Sequence, residues 1–220
     1  MKTKTLLLAT TATLMAAAPA SAAHTQGWYI GLEGGVNWVQ TVDIDSGVAT
    51  FVTTNVFANL NSGWALLGTV GYDFGSLRVE FEAGYRDNNV ATFTTVPGPF
   101  TLQPANDSLN EITLMANVLF DVPLSSNIAL ALGGGLGAAD ETFNIASTGS
   151  GSASTWSFAY QGIAGLSYSI PSSNWDVTLN YRYLDVADST FTFSPPTLTT
   201  NNITKHTLTI GLRFDLNPPP

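Results

Sequence analysis

Between Leu77 and Arg86 the chain alternates strictly: Leu77, Val79, Phe81, Ala83 and Tyr85 are apolar, while Arg78, Glu80, Glu82, Gly84 and Arg86 between them are charged or small. A period of two puts the two sets on opposite faces of a strand, so each face meets a different solvent. The length matches the roughly 9–11 residues that a tilted strand needs to cross a bilayer.

Seven other segments repeat the pattern. The first, at 28–38, sets Trp28, Ile30, Leu32, Val36 and Trp38 against Gly31, Glu33, Gly35 and Asn37. The second sets Trp64, Leu66, Val70, Tyr72 and Phe74 against Ala65, Leu67, Thr69, Gly71 and Asp73, with Leu67 the misfit. After the opening stretch, which is third, the fourth sets Ile112, Leu114, Ala116, Val118 and Phe120 against Glu111, Thr113, Met115, Asn117, Leu119 and Asp121. The fifth, 128–138, alternates leucines with Ala129, Ala131, Gly133, Gly135 and Gly137, small residues that suit a crowded interior. The sixth pairs Trp156, Phe158, Tyr160, Leu166, Tyr168 and Ile170 with Ser157, Ala159, Gln161, Gly165 and Ser167. The seventh pairs Trp175, Val177, Leu179, Tyr181 and Tyr183 with Asp176, Thr178, Asn180 and Arg182, and the eighth pairs Leu208, Ile210, Leu212 and Phe214 with Thr207, Thr209, Gly211 and Arg213.

Eight such segments predict an all-β fold: a closed, eight-stranded, antiparallel up-and-down transmembrane β-barrel. Connections alternate in length. Gly75-Ser76, 122–127 and 171–174 are short and read as periplasmic turns; 41–62, 87–108, 139–155 and 186–204 are long and read as four outer loops. Alternation alone fits a water-soluble barrel of the lipocalin kind equally well. The polar set decides against it, being mostly Gly, Ala, Ser, Thr and Asn rather than the Lys and Glu of a water-facing surface. The apolar set also carries aromatics toward the segment ends: Trp28, Trp38, Trp64, Phe74, Tyr85, Phe120, Trp156, Tyr168, Trp175, Tyr183 and Phe214. These are the expected membrane-interface girdles. Closure follows because a bilayer admits no unpaired strand edge.

Lys2 and Lys4, the apolar run 6–18 and the small residues 20–23 read as a signal peptide over 1–22, cleaved after Ala22 or Ala23. The barrel then occupies 23–214 and a Pro-rich tail 215–220. Two of the seven basic residues lie in the leader, so five remain against sixteen acidic ones, and nucleic acid is excluded as a partner. The chain has no cysteine, which removes disulfides and thiolate metal sites and leaves barrel closure as the source of stability.

WYIGLEGGVNW near the start, ITLMANVLFDVPL at 112–124, FAYQGIAGLSYSI at 158–170, VTLNYRYLD at 177–185 and HTLTIGLRF at 206–214 together resemble eight-stranded outer-membrane barrels. The group is that of opacity-type surface proteins and the barrel half of outer membrane protein A. The resemblance covers essentially the whole mature chain. It implies a non-enzymatic protein of the cell outer membrane without cofactors, whose partners are outer-membrane lipid and lipopolysaccharide, the barrel assembly machinery, and a surface receptor met through the outer loops, with adhesion as the specific role. The chain departs from many such barrels in continuing past Phe214 into Pro218-Pro219-Pro220, a run that resembles the start of the linker to a peptidoglycan-binding domain, and a cell-wall tether is not carried over from the resemblance.

On the expected lumen face lie Glu33, Asp73, Arg78, Glu80, Glu82, Arg86, Glu111, Asp121, Asp176, Arg182 and Arg213. Charges in a dry barrel must pair, since an isolated one costs several kcal/mol. The plain reading is a salt-bridge network that fills the lumen. The sharper one is a gate in a narrow channel whose Arg and Glu partners exchange to pass ions. Arg78, Glu80, Glu82, Arg86 and Arg182 carry either.

A lipid-modifying enzyme would need His206, with Ser189 and Asp185 or Asp188 beside it, as a triad; parity instead puts His206 on the lipid side as an interfacial histidine, and His24 sits near the leader. Gly133 to Gly137 lacks the Lys-Ser/Thr of a phosphate loop and reads as barrel wall. Asn202-Ile203-Thr204 is a glycan sequon without meaning in a bacterial envelope. The outer loops display Phe51, Val52, Phe57, Phe93, Phe100, Phe191 and Phe193, either as an adhesive patch or packed over the mouth.

Overall fold

The computed structural model describes residues 26–46, 55–96, 101–102, 107–145, 151–192, 197–200 and 202–217. The expected leader, His24, Phe51, Val52, Phe100, Phe193 and Pro218-Pro219-Pro220 lie outside these. The described residues form thirteen strands: β1 Gly27–Val39, β2 Val42–Ser46, β3 Asn55–Leu60, β4 Gly63–Asp73, β5 Leu77–Val96, β6 Thr101–Leu102, β7 Ser108–Pro123, β8 Ile128–Ile145, β9 Gly151–Ser169, β10 Trp175–Val186, β11 Ser189–Thr192, β12 Thr197–Thr200 and β13 Ile203–Asp215.

Eight of them close a barrel. The ring runs β1, β4, β5, β7, β8, β9, β10, β13, each strand antiparallel to the next, and β13 returns to β1 with Ile30 opposite Phe214 and Trp38 opposite His206. Every strand of the ring thereby has a ladder partner on both sides, the condition for crossing hydrocarbon. The alternation puts Ile112, Leu114, Val118 and Phe120 of β7 outside, exposed, and Glu111, Thr113, Met115, Asn117 and Leu119 inside, buried. Leu67, the misfit, keeps its parity and points into the lumen, where it fills the space opposite Gly84.

The short turns are tied by local bonds. The Phe74 N–H donates to the Leu77 carbonyl, Gly75 adopts a φ of +109°, and the Asp73 carboxylate accepts the Gly75 N–H at 2.6 Å. Only glycine takes that φ without steric cost. The last strand runs one residue past the expected end, to Asp215, and the stretch to Asn217 is held. Leu216 N–H donates to the Trp28 carbonyl, and the Asn174 amide donates to the carbonyls of Asp215 and Asn217.

The four long connections differ from their expected form. β5 continues to Val96, β8 to Ile145, and β9 begins at Gly151, so much of 87–108 and 139–155 is strand. Within 41–62 and 186–204 the short strands β2, β3, β11 and β12 extend the wall, in the order β11-β12-β2-β3-β5. The physical reason is a reversal of polarity. Above Tyr85, Ile112 and Ala138 the outward residues become Asp87, Asn89, Asn110, Asp140, Thr142 and Asn144, and the inward ones become Val90, Leu109 and Phe143. These strands keep their parity while the outside solvent changes from lipid to water, so a search for an apolar outer face stops at the boundary.

Candidate functional site

The lumen is built in three tiers. Nearest the short turns, Arg78 forks onto Asp121 (Nε to Oδ2 2.5 Å, Nη2 to Oδ1 3.0 Å) and donates to Glu80 at 3.1 Å. Arg213 donates to Asp176 at 2.7 Å, and its guanidinium and that of Arg78 flank the Tyr29 ring at 5.2 and 5.7 Å. Tyr29 in turn donates its hydroxyl to Glu80 at 2.7 Å.

In the middle, Arg182 holds Glu33 (2.8 and 3.2 Å) and Glu82 (3.0 Å) together. Thr209 and Asn180 donate to Glu33, and Gln161 donates to Glu82. In the outer tier, Arg86 donates to Glu111 and Thr113, both at 3.0 Å, and Lys205 pairs with both Glu111 and Glu141. Glu33, Glu82, Glu111 and Asp121 each accept on both oxygens, as a buried anion is tolerable only when its lone pairs are filled.

Neighbouring strands make room for these side chains. Tyr29 lies opposite Gly71, Glu33 opposite Gly211, Asn117 opposite Gly135 and Asn180 opposite Gly165. A methyl added at Gly71 would meet the Tyr29 ring at 2.4 Å, and one at Gly165 would meet the Asn180 amide oxygen at 1.8 Å. A cavity of about 20 Å³ remains among Tyr29, Glu33, Glu80, Arg182 and Arg213, room for one water. Toward the outer end apolar clusters close the bore: Met115, Ala139, Ala159, Leu184 and Val186, then Val90, Leu109, Phe143 and Ala153 beside Val42, Ala58 and Ile203.

The structure therefore brings Glu33, Arg78, Glu80, Glu82, Arg86, Glu111, Asp121, Asp176, Arg182 and Arg213 into ion pairs, whereas Asp73 serves the first short turn. Sequence reasoning missed Lys205, Glu141 and Tyr29. All three had a signal: Lys205 shares parity with Thr207 and Arg213, Glu141 with Ala139, and Tyr29 with Gly31 and Glu33. Arg78, Arg86, Arg182, Lys205 and Arg213 are each at most 5% exposed, and with Lys2 and Lys4 they are all the basic residues of the chain. No Lys or Arg is left for the outer surface or the outer segments.

Of the interface aromatics, Trp28, Trp38, Trp64, Phe74, Phe120, Trp156, Tyr168, Trp175 and Tyr183 are exposed on the outer wall; Tyr85 and Phe214 are half-buried there. Tyr85 packs tilted against Trp64 (5.2 Å between ring centroids) and Phe214 against Trp175 (4.7 Å). His206 lies between Tyr181 and Tyr183 on the same wall. Its two ring nitrogens bond the Tyr181 hydroxyl at 2.6 Å and the Gln40 amide at 3.0 Å. Asp185 accepts from Asn202 and Thr204, and the Ser189 side chain lies outside the described residues.

The family model described as outer membrane protein beta-barrel domain matches residues 6–215. A relative from Gluconacetobacter diazotrophicus, named "Outer membrane protein", is 31% identical over 255 aligned residues; the match covers all of this chain, which spans 65% of that relative's length. Among solved structures, Neisserial surface protein A aligns with a TM-score of 0.57 at 14% identity, over 86% of this chain and 97% of that one. The outer membrane protein OprG from Pseudomonas aeruginosa aligns with 0.57 at 19%, over 87% and 98%. At these identities the two structures share the fold alone.

Proposed function

Because the chain belongs to the outer membrane protein β-barrel family and resides in the outer membrane, we propose that it is a non-enzymatic, closed barrel that braces the envelope and acts through its outward-facing surface. The carrying observation is the lumen. Each cation there is locked to carboxylates, the space enclosed among Tyr29, Glu33, Glu80, Arg182 and Arg213 holds about one water, and apolar clusters pack inside the wall toward the outer end. A conducting path would require several buried pairs to part at once, each leaving an uncompensated charge at about 3–5 kcal/mol. Adhesion, by contrast, needs only a rigid scaffold under outer segments rich in Thr, Ser, Asn and Gly.

The same reasoning argues against lipid chemistry. His206 has both ring nitrogens committed to neighbours on the lipid-facing wall, and Asp185, one of its two candidate acids, is bound elsewhere.

Planar-bilayer recording of the refolded protein tests the reading. The expected result is no discrete conductance over a wide range of salt and voltage. Unitary, salt-dependent openings would replace it with the channel reading, with the Arg182–Glu33–Glu82 cluster as gate.

A further inference from the structure

The mouth at the short-turn end holds more anions than its cations can serve. Asp73, Glu80, Asp121, Asp176 and Asp215 gather there around Arg78 and Arg213, and the other basic residues past the first four, Arg86, Arg182 and Lys205, belong to the higher tiers. Both guanidiniums are committed. Arg78 holds Asp121 and Glu80, and Arg213 holds Asp176 through Nε at 2.7 Å and Nη2 at 2.5 Å. Asp215 has one ion pair among the described residues, 3.9 Å from an Nε that already serves Asp176. Asp73 of β4 and Asp176 of β10 repel it, while Arg78 of β5 and Arg213 of its own strand compensate only in part. Asp121 of β7 and Glu80 of β5 draw on Arg78 as well, and Tyr29 of β1, opposite Asp215 in register, gives its hydroxyl to Glu80.

Asp215 also differs from the other four in its mounting. It ends β13, at the root of a clasp that holds residues 215–217 to both neighbours. Its N–H donates to the Asn174 carbonyl, Leu216 N–H donates to the Trp28 carbonyl, the Asn174 amide donates to the carbonyls of Asp215 and Asn217, and the Asn217 amide donates to the Gln26 carbonyl. Letting the clasp go relieves the repulsion at the loss of these few bonds, with the ladder from Ile30 to Val39 left intact. Asp215 lies one residue past the girdle aromatic Phe214. Burial, with Asp176 and Asp73 alongside, pushes its carboxyl from the ordinary 3.8 up to about 6. The clasped chain therefore binds more protons than the released one, so this contribution is complete below about 3.8 and lost as the pH rises through about 6. We propose that residues 215–217 are a proton-operated latch on the β1–β13 seam, closed while Asp215 carries a proton and released when it joins Asp73 and Asp176 as an anion. The latch lies below the packed tiers and stands apart from conductance and from the outer segments.

The test uses the mature chain refolded into phospholipid nanodiscs. Protection of the Leu216 backbone amide, read by solvent-exchange NMR against its unstructured rate at each pH, should fall about tenfold from pH 5 to pH 7.5. That is the linkage for a carboxyl at 3.8 when released and about 6 when latched. Asp215→Asn keeps the shape and removes the charge, so it should hold its protection across this range while the barrel keeps its heat-modifiable migration on a detergent gel. In the parent, the Asp215 carboxyl carbon resonance should titrate with a midpoint near 6. The proposal is overturned if the parent's protection stays flat, if Asp215→Asn loses protection with pH as the parent does, or if the carboxyl titrates at about 4, as a free aspartate does. Protection restored at pH 7.5 by Mg²⁺ alone also overturns it, since the mouth would then answer to a metal cation rather than to a proton.

Discussion

The lower and upper halves of the barrel follow opposite rules with the same strands. In β7, Glu111 and Asn117 point in while Ile112 and Val118 point out; one pleat higher, Leu109 points in and Asn110 out. β8 repeats this, with Leu132 and Leu136 outside low down and Asp140 and Thr142 outside above, where Phe143 is buried within. The lower half is held by ion pairs and hydrogen bonds around a polar bore, because hydrocarbon outside rewards no apolar interior. The upper half puts polar residues outside and larger apolar clusters inside, stabilised by burial, whereas the lower half buries only the small cluster of Leu119, Ala131 and Ile163 beside its ion pairs. The change of solvent can thus be located to within about one residue pair from side chains alone.

Breaking the lower half at its centre should cost most. Arg182→Met removes the cation shared by Glu33 and Glu82 and leaves both buried carboxylates unpaired. The expected loss is about 3–5 kcal/mol in urea unfolding from lipid vesicles. A loss under about 1 kcal/mol would mean that water already enters the lumen.

The outer face offers a contrast between depths. Val118→Arg, in the middle of the lipid-facing band, should cost about 2–4 kcal/mol, and Thr142→Arg, above the reversal, no more than about 1 kcal/mol. Equal costs at the two sites would erase the boundary drawn here. A smaller contrast separates lumen from wall. Gly71→Ala must displace the Tyr29 ring and should cost about 1–3 kcal/mol, while nothing lies within 4 Å of a methyl at lipid-facing Gly162, so Gly162→Ala should be neutral or slightly stabilising.

The lower half was legible in the sequence because its period and its apolar face coincide: Leu77 to Arg86 needs no structure to be placed. The ion-pair partners were legible as a set on one face, but not as pairs. Arg182 meets Glu33, 149 positions away, only after β13 has returned to β1. The upper half was hidden by its own regularity. Val90, Leu109 and Phe143 continue the period, but on the face that carries polar residues below, so Val90 and Phe143 fell within the expected loops 87–108 and 139–155 and Leu109 just before the fourth segment. Lys205 was lost because it precedes the expected start of the eighth segment, although its parity with Thr207 and Arg213 puts it inside.

The reversal is most directly tested by single-cysteine spin labels at alternate positions of β7, from Ser108 to Val122. The chain has no native cysteine, so each label is unique. Accessibility to oxygen should be high at 112, 114, 116, 118, 120 and 122 and give way to a water-soluble nickel chelate at 110 and 108. Oxygen accessibility that continues unchanged through 110 and 108, or that falls at 114 and 118, would contradict a barrel whose solvent changes between Ile112 and Asn110.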